Sequence, residues 1–514
     1  MKSVNNLILG LGAALVTVGG ARAADLPVKA KAVEYVKVCS LYGPGFYYIP
    51  GTDTCIKLGG YLRVALVVNS NSVYTPNYAG AGGANNRFTN GYTWRSREGL
   101  NIDTRTATEY GMVRTYFDGM FTWTSDTYTN NTTAPGSTVY AALGTPPVTA
   151  GNNAGPGNVA YGTFSLYYAF IQFAGFTMGK AVSQFAAPWT AYPGNTYDGL
   201  VGGVNTVTGV NQFSYTAEFG NGTSLSLSAQ DQTQYTQAGV RNLAAGGAYG
   251  ASDYAGTVAP DLIASLRANQ AWGLFQASIA AHDNHAAYYG ASESTGHPAD
   301  KWGWAGALAL SIKNIPTGPG DTINIQGAYT DGATRYNIQE LASEAGAIAI
   351  YSGSSLPGAY GSVGFGTAPD TVFFGGQQQS IKTWGFRGAY THNWDADWNT
   401  SLYGAFATVM YNDMAKSFIC GVGGVGGSFR ASFGGGAGVT SCNPDYNISQ
   451  IGLVTRWTPV KNLTFSAEGT YSHLDQNYAG TITTSAGSIG KPTATYELKN
   501  QSTYQMLLNA RRNW

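Results

Sequence analysis

Charge is scarce in this chain. Only 11% of its 514 residues are charged, against roughly 25% in a typical soluble domain. Beyond the N-terminus, no stretch approaches the roughly 18 apolar residues that a membrane-spanning helix requires. A helical membrane protein is therefore excluded. Basic runs are missing too. Setting aside Lys2 and Arg22 of the N-terminal leader leaves 26 basic against 28 acidic residues, so nothing points to nucleic acid. Histidine is sparse: His282, His285 and His297 fall in or beside one loop, and His392 and His473 near strand ends. No His-Glu helix motif, nucleophile elbow or phosphate-cradling glycine loop stands in context. Gly421–Gly427 and Gly434–Gly438 read as loop composition. The expectation is a non-enzyme without cofactor or metal.

What the chain does have is glycine (70 residues) and tyrosine (35). A disordered chain would be poor in aromatics. Many short segments alternate apolar and polar residues, which is the pattern of a transmembrane β-barrel. A soluble all-β protein is the alternative. A sandwich of this length would be too large, and no fixed-period repeat supports a solenoid.

Residues 1–23 read as a secretory signal, with Lys2 before the apolar Leu7–Val18 and Ala21-Arg22-Ala23 as a cleavage site. Export implies an oxidising compartment. The four cysteines form two local pairs, Cys39 with Cys55 and Cys420 with Cys442, which read as disulfides. Residues 24–55 form a periplasmic N-terminal segment with a hairpin candidate at Ser40–Thr54, and residues 56–514 the barrel.

Strands are expected at Ile56–Asn69, Tyr92–Asp103, a third through Trp123, Tyr161–Phe173, Phe176–Phe185, Val210–Phe219 and Thr223–Gln232. They continue at Pro260–Asn269, Trp272–Asp283, Trp302–Asn314, Asp321–Asp331, Ile381–His392, Trp398–Asn412, Tyr446–Thr458, Leu463–Asp475 and Tyr496–Trp514. That makes about sixteen, with short turns and long loops alternating, as in outer-membrane barrels. A barrel this wide leaves an aqueous channel. The last strand carries Tyr504, Met506, Leu508, Ala510 and Trp514 on one parity, and its terminal aromatic resembles the insertion signal read by outer-membrane assembly machinery.

One stretch breaks the alternation. Ala186–Gly199 holds two prolines and two glycines, so it is neither strand nor helix, yet it carries Trp189, Tyr192 and Tyr197. It belongs to the third long loop, about 185–209, and is expected to fold inward as a constriction. Parity supplies the wall. With apolar faces toward lipid, the lumen receives Arg63, Arg95, Arg97 and Arg114 from three neighbouring strands. Their acidic partners are expected among Asp103, Asp118 and Asp198. Such rings of charge set ion preference in pores. Arg267, Arg387, Arg456 and Arg511, with Glu218 and Glu468, also have lumen parity but are given less weight. Glu98 falls on the lipid face, which fits either a register slip or a subunit interface.

Specific motifs then stand out. Ala24-Asp25-Leu26-Pro27-Val28-Lys29, Val38-Cys39-Ser40-Leu41-Tyr42-Gly43 and Gly45-Phe46-Tyr47-Tyr48-Ile49-Pro50-Gly51 resemble the mature start of alphaproteobacterial porins, the family found in Brucella and rhizobia. Trp94-Arg95-Ser96-Arg97 and Asn101-Ile102-Asp103-Thr104-Arg105-Thr106 match as well. The resemblance implies a sixteen-stranded, trimer-forming barrel whose third loop constricts it.

The expectation is thus an integral outer-membrane porin through which small hydrophilic solutes and ions diffuse passively. The alternatives are a sugar- or anion-selective channel, or a receptor or adhesin acting through loops 334–379 and 413–445. Trp94, Trp123, Trp302, Trp304, Trp457 and Trp514 read as interface girdle residues. Trp189, Tyr192 and Tyr197 either pack the loop against the wall or stack on sugar rings.

Overall fold

The computed structural model describes residues 37–69, 92–124, 163–232, 238–243, 253–338, 348–421, 438–483 and 494–514. The expected signal sequence and the tips of several long loops lie outside these residues. Sixteen antiparallel strands form one closed sheet: β1 Thr54–Val68, β2 Tyr92–Thr108, β3 Gly111–Thr124, β4 Thr163–Phe173, β5 Phe176–Ala181, β6 Val210–Glu218, β7 Thr223–Gln230 and β8 Asp261–Gln270. The ring continues with β9 Gly273–Asn284, β10 Lys301–Lys313, β11 Thr322–Asp331, β12 Lys382–Asn393, β13 Trp398–Met410, β14 Tyr446–Val460, β15 Leu463–Gln476 and β16 Gln501–Asn513. Pairing of β1 with β16 closes it.

Closure places Gly60 where no other residue fits. Its N–H donates to the Trp514 carbonyl (3.2 Å), and the Trp514 N–H returns a bond of 3.1 Å. A Cβ on Gly60 would lie 2.2 Å from the Gly99 carbonyl oxygen and 2.6 Å from the Trp514 ring. Turns at one end are short and need left-handed backbone: Ala174-Gly175 both have positive φ, which matches a tight hairpin to the strand twist. Alternate residues are exposed and apolar, among them Leu62, Trp94, Phe121, Ile279, Leu308, Phe386, Ile451 and Leu508. In a closed barrel this is the outer face, and β-strand alternation turns the other parity inward. Glu98 keeps its outward register, opposite Leu62 and Phe121.

Both cysteine pairs are bonded. Cys39–Cys55 ties the N-terminal segment to the start of β1, where Tyr47 and Tyr48 pair with Ile56 and Cys55. Within the candidate hairpin, Ser40–Tyr42 is a single 3-10 turn.

Four expectations change. The strand expected to end at Asp103 runs on to Thr108, because Thr104, Thr106 and Thr108 keep their pairing with Thr115, Val113 and Gly111. The strand expected to run to Phe185 stops at Ala181, because the Gln212 side chain bonds the carbonyls of Ala181 and Val182 and takes over from the ladder. The final segment is not one strand. Thr495–Leu498 pairs elsewhere, and Asn500 turns the chain by bonding Asp475 and the Gln476 N–H before β16 begins. The long loops are also structured. Ile348–Ser352, Gly361–Gly366, Thr495–Leu498, Ala479–Thr483 and Val439–Ser441 build a second, five-stranded sheet. Helix α1, Asp413–Cys420, opens the loop after β13, its N-terminus capped by the Asn412 side chain.

A buried ionic cluster ties these loops to the barrel rim. His282 at the end of β9 lies 2.7 Å from Asp261 of β8 and 3.5 Å from loop residue Asp370. Tyr254 donates to Asp370, and Tyr336 to Asp261. Burial alone would raise the Asp370 carboxyl. The hydrogen bond and charge of His282, with the N–H groups of Ala238 and Thr334, outweigh it and hold the carboxyl below its ordinary value. A depressed carboxylate stabilises the fold above its unfolded pKa, about 3.9, and loses that contribution as pH falls through the lower folded value. Amides of Gly361–Phe373 should therefore stay protected from hydrogen exchange at pH 5 and open only below about 4. Asp370→Asn should open them at neutral pH while the barrel stays folded.

Candidate functional site

The inward arginines are set by register. Arg63 of β1 lies opposite Arg97 of β2 on one side and Arg511 of β16 on the other, so three guanidinium groups share one level of the wall. Arg95 sits two residues on, opposite Ala65 and Thr124. Long cationic side chains this close must be held by acceptors on their neighbours, since a guanidinium only donates. Arg95 donates to Thr124 (3.0 Å), and Arg97 donates to Thr122 (3.0 Å) and to the Tyr167 hydroxyl (2.9 Å). Arg511 stacks over the Tyr61 ring at 4.0 Å.

Arg114 does something different. It forms a two-point bond to Asp103 (3.1 and 3.0 Å), and Arg105 binds the same carboxylate (3.2 and 2.9 Å). Asp103 is thus its carboxylate partner. Asp118, on the same inward face, is buried, and its Oδ1 has no hydrogen-bond partner.

Residues 182–209 join β5 to β6 and are mostly buried. Pro188, Pro193 and the positive φ of Thr190, Gly199, Gly202 and Gly209 keep them from forming a ladder of their own. A buried backbone without a ladder must find hydrogen-bond partners elsewhere. Here the partners are inward side chains of distant strands. Gln276 of β9 donates to the carbonyl of Ala186 (3.0 Å), and Asn324 of β11 to that of Pro193 (2.7 Å). Arg387 of β12 is fully buried and donates to Thr190 (2.6 Å), Leu200 (3.2 Å), Gly203 (3.2 Å) and Val204 (2.9 Å). Gln450 of β14 accepts from the Val201 N–H and donates to the Gly199 carbonyl. Arg456 of β14 donates to Gly194, and Glu468 of β15 accepts from the N–H groups of Thr196 and Tyr197. A Cβ on Gly203 would lie 2.7 Å from the Arg387 guanidinium, so that position must stay bare.

The aromatic residues of this segment divide. Tyr197 is buried against Ala65, Val67 and Leu507, which matches the packing reading and leaves no ring face for a sugar. Tyr192 donates its hydroxyl to Asp198. Trp189 is half-buried, and its Nε1 has no hydrogen-bond partner. Burial pushes the Asp198 carboxyl up. The Tyr192 bond and the charges of Arg63, Arg95 and Arg97 oppose this without cancelling it. The one carboxylate of the Ala186–Gly199 stretch therefore stands in the field of those three arginines.

Sequence reasoning offered Asp103, Asp118 and Asp198 as acidic partners of the inward arginines; Asp103 bonds Arg114, and Asp198 lies in the field of Arg63, Arg95 and Arg97. That reasoning underweighted Arg387, Arg456 and Glu468, which hold the segment, and it passed over Arg105. Their inward parity at mid-strand was visible, but what they reach was not. The girdle candidates Trp94, Trp123, Trp302, Trp304, Trp457 and Trp514 are all exposed. Among the described residues no cluster of three His, Cys, Asp or Glu side chains could hold a metal ion.

A closed sixteen-stranded barrel with an apolar belt and a polar, arginine-bearing interior defines a channel-forming outer-membrane protein. Comparison with known proteins agrees. Residues 25–507 match the family model described as "Porin subfamily". Porin Omp2a of Brucella ovis is 32% identical over 344 residues, covering 64% of this chain and 90% of that protein. Porin Omp2b of Brucella canis is 31% identical over 286 residues, covering 55% and 66%. Among solved structures, the outer membrane channel DcaP of Acinetobacter baumannii superposes with a TM-score of 0.51 at 13% identity, over 91% of this chain and 99% of that one. The chain belongs to the alphaproteobacterial porin family. It is an integral outer-membrane β-barrel of a Gram-negative bacterium and a channel for the diffusion of small solutes.

Arg387→Met would leave the carbonyls it serves without those donors, at about 1–3 kcal/mol for each buried group left unsatisfied. Amides of residues 190–204 should then exchange faster, and single-channel current should become noisier, with the barrel still resistant to SDS before heating. Arg387→Lys should recover part of the protection.

Proposed function

We propose that residues 182–209 lie within the barrel as the constriction of the channel, and that the arginines of β1, β2 and β16 bias it toward anions. The observation that carries the reading is the set of hydrogen bonds from inward side chains of β9, β11, β12, β14 and β15 to the backbone of this one segment. The segment sets the size of the gap. Arg63, Arg95 and Arg97 supply its field, offset in part by Asp198. Small hydrated anions gain from that field without shedding their water, and passage needs neither cofactor nor energy coupling. Arg114 contributes less, since Asp103 neutralises it.

The proposal extends to a homotrimer, with outward Glu98 buried at the subunit contact, and to export by a signal cleaved after Ala23. Recognition of Trp514 by the assembly machinery belongs to the same reading. A sugar slide finds little support in a segment whose Tyr197 is packed away. A receptor role for the long loops is the remaining alternative, and conductance separates it from a channel.

In planar bilayers the folded protein should give large, ohmic steps, and in a salt gradient its reversal potential should report anion preference. Replacing Arg95 and Arg97 together by Gln should shift that potential toward cations. An unchanged potential would remove these arginines from the filter.

Acidity gives a second handle. Because burial raises Asp198, it should take up its proton above the ordinary carboxylate range near 3.9. Losing that negative charge leaves the arginines less compensated, so anion preference should grow as pH falls. Asp198→Asn should show the stronger preference already at neutral pH and lose its dependence on acid.

A further inference from the structure

The inward face of the barrel is not uniform around the ring. On β1–β3, Arg63, Arg95, Arg97, Arg114 and Tyr116 keep part of their surface accessible, while Ala65, Val67 and Thr93 nearer the long-loop end are buried. On β9–β15 the inward residues toward the long-loop end are buried, a mixture of apolar side chains and polar ones such as His282, Asn284, Thr330 and Thr383. Ala305, Ala407, Ile448 and Leu474 have no accessible surface at all.

What covers them is the second sheet with its loops, the 182–209 segment and the turn at Tyr336. One continuous apolar core joins Leu200 and Val201 of the 182–209 segment, inward Ala407 and Ile448 of the barrel, and loop residues such as Val363 and Phe365. A smaller core joins Phe185 and Val204 to Ala280, Ala305 and Ala328 of β9–β11, and to loop residue Tyr336. The fit is close. A Cβ on Gly366 would lie 2.9 Å from the Tyr446 ring, and one on Gly364 would lie 2.8 Å from the Gln501 side chain. Some polar groups at this core are bonded within it: Gln501 donates to Ser362, and Tyr411 to the Thr367 carbonyl.

We infer that the long loops close the barrel over β9–β15 as a permanent plug, and that solutes cross off-axis along the wall of β1–β3, in contact with the arginines. The inference rests on the constriction proposed for residues 182–209 and adds where the open path lies. Packed apolar side chains at interior density leave no room for hydrated solutes. A solute is therefore steered against one charged wall instead of down the barrel axis, and every permeant must pass the same guanidinium groups. The plug also makes the extracellular loops part of the selectivity device.

All four native cysteines are disulfide-bonded, so introduced thiols can be read singly. Arg95→Cys reports the arginine wall, while Ala407→Cys and Thr470→Cys report buried inward positions of β13 and β15. Each variant is reconstituted, its conductance recorded, and a small charged methanethiosulfonate added. Single-channel current should fall for Arg95→Cys and stay unchanged for the other two, with mass spectrometry showing no adduct on the thiol of either of those two variants until the protein is unfolded. Adducts and current block at Ala407→Cys or Thr470→Cys in the folded protein would overturn the plug. If Ala407→Cys does not fold, Thr470→Cys decides. Wild-type protein that gives no conductance would instead defeat the channel reading itself, so the two failures are distinguishable. As a second measurement, replacing residues 361–373 by a Gly-Ser linker should raise conductance several-fold and weaken anion preference. Unchanged conductance from that folded variant would also count against the plug.

Discussion

The structure depends on one constraint: a buried stretch of backbone that makes no ladder must borrow its hydrogen bonds. Residues 182–209 have two prolines, several left-handed positions and very little exposed surface. Their carbonyl and N–H groups are served by Gln276, Asn324, Arg387, Gln450, Arg456 and Glu468, which come from strands far away in the chain. Arg387 is the clearest case. A fully buried guanidinium is costly to desolvate, and its fork of donors meets four segment carbonyls. The position of the segment therefore depends on the closed ring. If the strands were not paired in this order, its partners would not converge.

Charge divides along the same lines. On β12, β14 and β15, Arg387, Arg456 and Glu468 are structural: they bond backbone groups of the segment, and Arg387 and Glu468 are buried. On β1 and β2, arginines are anchored by threonine and tyrosine hydroxyls and remain partly accessible. Two residue types thus serve opposite ends, and burial decides which. Arg114 and Arg105 show a third outcome, sharing Asp103 and so contributing little net field. The loop-built sheet adds asymmetry, because it fills one side with apolar packing while the other side stays polar.

Much of the fold was legible because a transmembrane strand has a strict period of two and a length set by the membrane. Leu62, Leu66 and Val68 against Arg63 and Ala65 already state which way β1 faces. Boundaries fell within a residue or two where a turn residue such as Asn221-Gly222 or Ala174-Gly175 marked them. They failed at Asp103, where the strand runs on to Thr108, at Phe185 and at Tyr496. At Phe185 the alternation continues past the point where the ladder stops, because the Gln212 side chain replaces a main-chain partner. At Tyr496 two strands of the same period belong to two different sheets, and only Asn500 divides them.

The sequence by itself determined the class: an exported, even-stranded barrel, the parity of its inner arginines, its two disulfide pairs and its family likeness. Each of these rests on local pattern or on residue identity, which a linear string carries in full. Tertiary structure alone decided which arginine is spent on a neighbour and which faces water, since Arg63, Arg114 and Arg387 share a parity and differ only in what lies across from them. It also decided that glycine-rich loops become a packed sheet and that inward alanines line a core. These outcomes depend on contacts between residues hundreds of positions apart, which exist only once β16 has closed on β1.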